Sequence, residues 1–243
     1  MLIVKGKAVK GPNTVRSGLV LQLDAGNHRS YPGSGTAWTD MSGLGNTGTL
    51  TNGPTFNSAN GGSIVFDGTN DYVSIPYINS PFRQTSQITY DFWAYKGVSG
   101  VTNIMGTSVA GGGGTGAVYF NSDTSIFFYW CPSNPLSDRQ ISATVSNTLN
   151  TWNNYSFTIN YQTAVYQWYQ NGVALTSTLS NSVTTYTPAT SYNRSFDDYV
   201  GGWYVNSPTY YTGRIASVSI YNRALTAAEV LQNYNALRSR FGL

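Results

Sequence analysis

Apolar and polar residues alternate with a period of two along much of the chain, most sharply at residues 63–75, SIVFDGTNDYVSI. Ile64 and Phe66, then Val73 and Ile75, give each run one apolar face, and Asp67-Gly68-Thr69-Asn70 supplies the positive-φ tolerance of a tight turn. The segment predicts a β-hairpin. The same period predicts strands in GLVLQLDA from residue 18, in ITYDFWAYKG at 88–97, and in NIMGTSV, AVYFNS and SIFFYW between 103 and 130. Residues 152–178 read as a strand, a turn and a long strand closed by an Asn171-Gly172 turn of the type I′ kind, with another strand near YVGGWY at 199–204. By contrast, YPGSGTAWTDMSGLGNTG at 31–48 reads as a loop whose glycines and polar residues offer no face to bury.

Towards the C-terminus the period becomes helical. Thr226 ahead of Ala227-Ala228-Glu229 forms a capping box, and Leu225 and Val230 are spaced as a hydrophobic staple. Val230, Leu231, Tyr234 and Leu237 then make an apolar stripe for a helix of about three turns. Trp93 and Trp152 fall at strand positions that face a core. The pattern predicts an all-β chain: a jelly-roll-like sandwich of about a dozen strands in two antiparallel sheets, with one short C-terminal helix.

Composition narrows the partners. Charged residues make up only 9% of the 243 residues, against roughly 25% in an average soluble protein, so surfaces rest on Gly, Ser, Thr, Asn and Tyr. Residues 1–16 hold Lys5, Lys7, Lys10 and Arg16 with no acid, while the other nine basic residues are outnumbered by ten acidic ones. The body, residues 18–243, is thus nearly neutral and its basic residues are scattered, which argues against nucleic acid. Residues 1–17 form a basic arm, either a terminus with solvated charges or a docking peptide for an acidic assembly. The single cysteine, Cys131, leaves no intramolecular disulfide. No apolar run approaches the roughly 18 residues of a membrane span, and Met1-Leu2-Ile3-Val4 before Lys5 is too short for a signal-peptide core, so neither membrane insertion nor export is expected.

Residues 18–27, 63–75 and 213–234 together resemble the laminin-G-like, concanavalin-A-like lectin/glucanase domain family, as found in tailed-phage virion proteins. YQNGV at 169–173 stands where the family reads a sequence like YvDGv. The resemblance implies a concanavalin-A-like sandwich over about residues 18–238. It also implies a virion surface protein, a capsid decoration or fibre component made in the host cytoplasm. On that expectation the arm residues Lys5, Lys7, Lys10 and Arg16 dock to other virion proteins, and the sandwich meets host or environmental glycans. The alternative is a purely structural cementing protein without glycan binding. Composition is compatible with a homo-oligomer or with a monomer on a lattice.

The fold hosts enzymes, lectins and structural domains alike, so chemistry has to be read from residues. A glycanase needs two carboxylates across the scissile bond, yet Glu229 is the only glutamate and sits in the capping box. Asp197 and Asp198 are strand neighbours pointing to opposite faces, and His28 is the only histidine; a non-enzyme is expected. Family members often carry calcium on the rim, for which Asp67, Asn70 and Asp71 are candidates, beside Asp24 and Asn27. Asp and Asn in turns also bond their own backbone amides. Where many relatives place two acids, this chain reads Gly213-Arg214-Ile215-Ala216-Ser217-Val218. For stacking on sugar rings, the aromatics in loop-like settings are Trp38, Tyr129, Trp130, Trp203, Tyr204 and Tyr210.

Overall fold

The computed structural model describes residues 13–76, 86–107, 115–131, 139–146, 148–180, 197–203 and 209–243. The strands in chain order are β1 (Leu19–Asp24), β2 (Ala37–Trp38), β3 (Gly48–Thr51), β4 (Thr55–Asn57), β5 (Ser63–Asp67), β6 (Tyr72–Ile75) and β7 (Gln87–Lys96). They continue with β8 (Thr102–Thr107), β9 (Thr115–Phe120), β10 (Ser125–Cys131), β11 (Arg139–Thr144), β12 (Trp152–Asn160) and β13 (Val165–Gln170). The last are β14 (Val173–Ala174), β15 (Ser177–Ser180), β16 (Asp198–Val200), β17 (Gly202–Trp203), β18 (Thr209–Tyr210) and β19 (Thr212–Tyr221), ahead of helix α1 (Ala227–Leu237) and a 3-10 turn at Arg238–Phe241. Among the described residues they form an eight-stranded sheet, β14-β13-β12-β7-β19-β5-β4 with β1 also on β19, and a nine-stranded sheet, β15-β11-β10-β9-β8-β16-β6-β3-β2. β17 and β18 make a separate two-stranded ribbon.

The alternation seen in the sequence decides what lies between the sheets. Val73, Ile75, Val118, Phe120, Ile126 and Phe128 come inward from one sheet, against Phe92, Tyr155, Phe157, Trp168, Ile215 and Val218 from the other. Each such side chain contributes about 1.5–3 kcal/mol by leaving water. The Trp168 indole also donates across the sandwich to the Ile141 carbonyl at 2.9 Å.

The segment 63–75 turns where expected but is not a hairpin. β5 pairs with β4 and β19 in one sheet, and β6 with β3 and β16 in the other. Ile64 and Phe66 therefore face Val73 and Ile75 across the core instead of lying beside them. A period of two and an Asp-Gly turn serve a corner between sheets as well as a hairpin. The corner is set by side chains: the Asp67 amide donates to Asp71 Oδ2 at 3.0 Å and the Thr69 amide to Asp67 Oδ1 at 2.7 Å.

Other expectations hold. Asn171 and Gly172 have φ of 52° and 76°, a type I′ turn joining β13 to β14. Thr226 and Glu229 close the capping box, and Leu225 and Val230 are both buried. The apolar stripe differs at one place: Leu231 is exposed, and Asn233 is buried in its stead. The expected loop at 31–48 is also revised, because it contains β2, which buries Trp38. Buried Asp40 ties this segment down by accepting the amides of Gln22, Ser42 and Asn46, each at 2.9 Å.

Residues 13–17, counted with the arm, lie on the body. Val15 packs with Tyr221, Leu225 and Val230, and Arg16 donates to Gln22 at 2.8 Å. Lys5, Lys7 and Lys10 lie outside the described residues. Among the described residues no helix is long and apolar enough to cross a membrane.

Candidate functional site

The two outer faces of the sandwich are unlike. α1 and the turn after it cover part of the eight-stranded sheet, so that Thr89, Asp91 and Trp93 on the outward side of β7 are buried as fully as its core side. In the nine-stranded sheet β6, β10 and β16 keep the two-sided alternation, with half-exposed Tyr72, Phe127, Tyr129 and Tyr199 outward, whereas β8 is buried on both sides. Tyr72 on β6 and Tyr199 on β16 meet edge to face at 5.0 Å between centroids, and Tyr72 stacks with Tyr210 on β18 at 6.5 Å. Ser74, also outward on β6, donates to Asp197, which precedes β16.

Register carries this face across the sheet. Ser74, Tyr199, Gly106, Ala117, Tyr129 and Gln140 form one row over β6, β16, β8, β9, β10 and β11. Tyr129 thus stands three strands from Tyr199, about 14 Å at the usual strand spacing, with buried Gly106 and Ala117 between. Beside Tyr129, Tyr119 and Phe127 stack at 5.4 Å. Each aromatic group has half-exposed rings, of the kind suited to the apolar C–H faces of sugars.

The laminin-G-type profile of the Concanavalin A-like lectin/glucanases superfamily matches residues 67–231. The chain belongs to this superfamily. No curated protein sequence matches it. Several solved structures share the fold at low identity. Domain 4 of AbnA, a GH43 extracellular arabinanase from Geobacillus stearothermophilus, in complex with arabinotriose, is 16% identical with a TM-score of 0.63, over 90% of this chain and 98% of that one. The binding domain of botulinum neurotoxin DC in complex with SialylT is 13% identical with a TM-score of 0.65, over 91% of this chain and 52% of that one. Trypanosoma rangeli sialidase in complex with sialic acid is 15% identical with a TM-score of 0.61, over 92% and 33%. The chain thus spans about half of the neurotoxin chain and a third of the sialidase chain.

Within this concanavalin A-like domain the expected aromatics separate. Tyr210 belongs to the tyrosine cluster and Tyr129 to the second aromatic group. Trp38 is corrected: it has no exposed surface, because β2 pairs with β3 and carries the indole into the core, leaving no ring face for a ligand. The backbones of Trp130 and Trp203 lie in β10 and β17, but their side chains, and all of Tyr204, lie outside the described residues. Tyr72 and Tyr199 were missed by sequence reasoning. Their signal was strand alternation, since each flanks a buried Val73 or Val200 and must point outward.

Asp67, Asn70 and Asp71 share the corner between β5 and β6, where one carboxylate oxygen of each aspartate is engaged by the turn. Asp67 and Asp71 accept backbone amides of the turn, the Asn70 carbonyl accepts from Asn52 at 3.0 Å, and burial raises the Asp71 carboxyl above its usual range. Calcium takes six to eight oxygens, and no group of three or more His, Cys, Asp or Glu side chains that could hold a metal ion occurs among the described residues. The corner fits its own backbone better than it fits the ion. Asp24 is likewise taken, by Arg240 at 2.8 Å. Glu229 accepts two bonds from Arg223 at 2.8 and 2.6 Å, which with the cap hold its carboxyl down at about 2. Asp198 is buried while Asp197 is half-exposed, the opposite facing expected of strand neighbours.

One polar centre escaped the sequence. Asp91, beneath α1, accepts from Ser156 at 2.7 Å and Asn154 at 3.3 Å. Burial pushes its carboxyl up to about 6, against the opposing pull of those bonds and of Asn233.

Proposed function

We propose that this domain is a non-catalytic glycan-binding module that holds its ligand on the outer face of the nine-stranded sheet, across Tyr72, Tyr199 and Tyr210. The observation that carries the reading is the contact of half-exposed Tyr72 with half-exposed Tyr199 and Tyr210 on this face. Support comes from the similar arabinanase domain, whose structure holds arabinotriose. A setting on a phage particle, with the basic residues Lys5, Lys7, Lys10 and Arg16 engaging other virion proteins, belongs to the same proposal and rests on the separation of charge between arm and body.

The test is retention on a panel of immobilised polysaccharides and lipopolysaccharides, with calcium and with chelator. Retention by the wild type, weakened at least several-fold in Tyr72→Ala and Tyr199→Ala with unchanged circular dichroism, is the expected result. A folded wild type that no glycan retains would leave the structural cementing role.

A further inference from the structure

Three arginines of the described residues are half-buried, and two are answered within the protein. Arg223 meets Glu229, and Arg240 meets Asp24. Arg214 is the exception: among the described residues no acceptor or acid pairs with it. Its guanidinium carbon lies 3.8 Å from the centroid of the Tyr95 ring and 5.4 Å from that of Trp152.

The placement follows from register. Val65, Arg214, Tyr95 and Trp152 stand side by side on β5, β19, β7 and β12, on the outer face of the eight-stranded sheet. Phe241, closing the turn after α1, stacks on Trp93 at 4.1 Å and meets Trp152 at a tilt at 4.8 Å. Beyond it Tyr95 and Arg214 remain half-exposed. A guanidinium resting on an aromatic ring has given up much of its freedom beforehand, yet keeps an in-plane edge of N–H donors. That planar fork matches a carboxylate with two parallel bonds. The nearest acid by register is exposed Asp67, which pairs with Thr212, two residues along β19 from Arg214. Its charge opposes a doubly charged phosphate more than a single carboxylate.

We propose that Arg214 on its Tyr95 shelf is a subsite for the carboxylate of an acidic sugar, on the face of the sandwich opposite the tyrosine cluster. The sugar as carrier rests on the glycan reading above; the carboxylate rests on Arg214 alone.

The test is titration of the wild type, Arg214→Gln and Arg214→Lys with glucuronate and with glucose, followed by NMR of the indole N–H signals, alongside the polysaccharide retention assay. Glucuronate should saturate the wild type and shift the Trp152 signal, while glucose does neither. Arg214→Gln should weaken binding roughly tenfold or more, the usual weight of a hydrogen bond to a charged group. Arg214→Lys should lose most of the affinity despite keeping the charge, and both variants should keep the wild-type behaviour on neutral polysaccharide. Glucuronate binding in a protein that no neutral glycan retains would uphold the subsite and sink the tyrosine face. No saturation by glucuronate, equal response to glucose, or unchanged affinity in Arg214→Gln would overturn the subsite.

Discussion

Asp91 links a single carboxyl to the stability of the whole domain. The unfolded chain titrates it near 3.8 and the folded site near 6. Between those values the folded state holds a proton that the unfolded state has released, so stability falls as pH rises from about 4 to about 6 and levels off above. At about 1.4 kcal/mol per pH unit the difference is about 3 kcal/mol. Asp123 and Glu229 act in the reverse sense below this window. Both are held down at about 2, Asp123 first by its bond from Lys96 and Glu229 first by its bonds from Arg223, so their support is lost as pH falls from about 4 towards 2. Thermal unfolding should therefore peak near pH 4–5, and in Asp91→Asn the decline from pH 4.5 to 7 should flatten; equal slopes in the two proteins would refute the assignment. Lys96 offers a second test, since its ammonium is buried and paired with Asp123. Asp123→Ala should lower the melting temperature more than Lys96→Met, because it leaves that charge without its partner. Neither site was legible in advance. Asp91 occupies the outward position of a clean alternation, and only the folding of α1 over that face buries it.

At the scale of elements, local chemistry was legible and long-range pairing was not. The Asn171-Gly172 turn and the capped helix are written in a few adjacent residues, and the structure keeps both. Gly172 has φ of 76°, and a Cβ there would sit 3.0 Å from Leu231. Gly172→Ala should cost about 1–2 kcal/mol in urea unfolding, and a change below about 0.3 kcal/mol would show that the turn does not need its left-handed residue. Thr226→Ala, which removes the oxygen that accepts the Glu229 amide, should cost about 1 kcal/mol with no change in the denaturant slope. The corner at 67–71 marks the limit of such reading. Its turn residues and flanking alternation specify a reversal and two apolar faces, but whether β5 and β6 share a sheet is decided by β19, more than 130 residues later in the chain. Trp38 was misjudged for a different reason: its neighbours are loop-like, and β2, two residues long, is too short to show an alternation of its own.

Across the whole molecule the two sheets present different faces, and residues 13–17 meet the C-terminal segment on the helical side. The Val15 amide donates to Asn233 at 2.8 Å, and Tyr221 donates to the Val15 carbonyl at 3.2 Å. Arg223 and Gln232 donate to the carbonyls of Ser17 and Asn13 at 3.0 and 2.7 Å. Residues 13–17 are thus held by side chains of the C-terminal segment and by Gln22 of β1, with Val15 as the apolar anchor. A protein beginning at Gly18 should accordingly unfold at lower temperature than one beginning at Asn13. The loss should be about 2 kcal/mol or more, the burial of one valine together with its satisfied amide and carbonyl. Asn233→Ala in the longer protein should reproduce much of that loss in one substitution, because it strips the partner from the buried Val15 amide. Polysaccharide retention below the unfolding transition should be the same in all three proteins. Equal melting temperatures for the two starting points would show that the docked segment adds no stability, whereas a parallel fall in retention would mean that the two faces are coupled through the core.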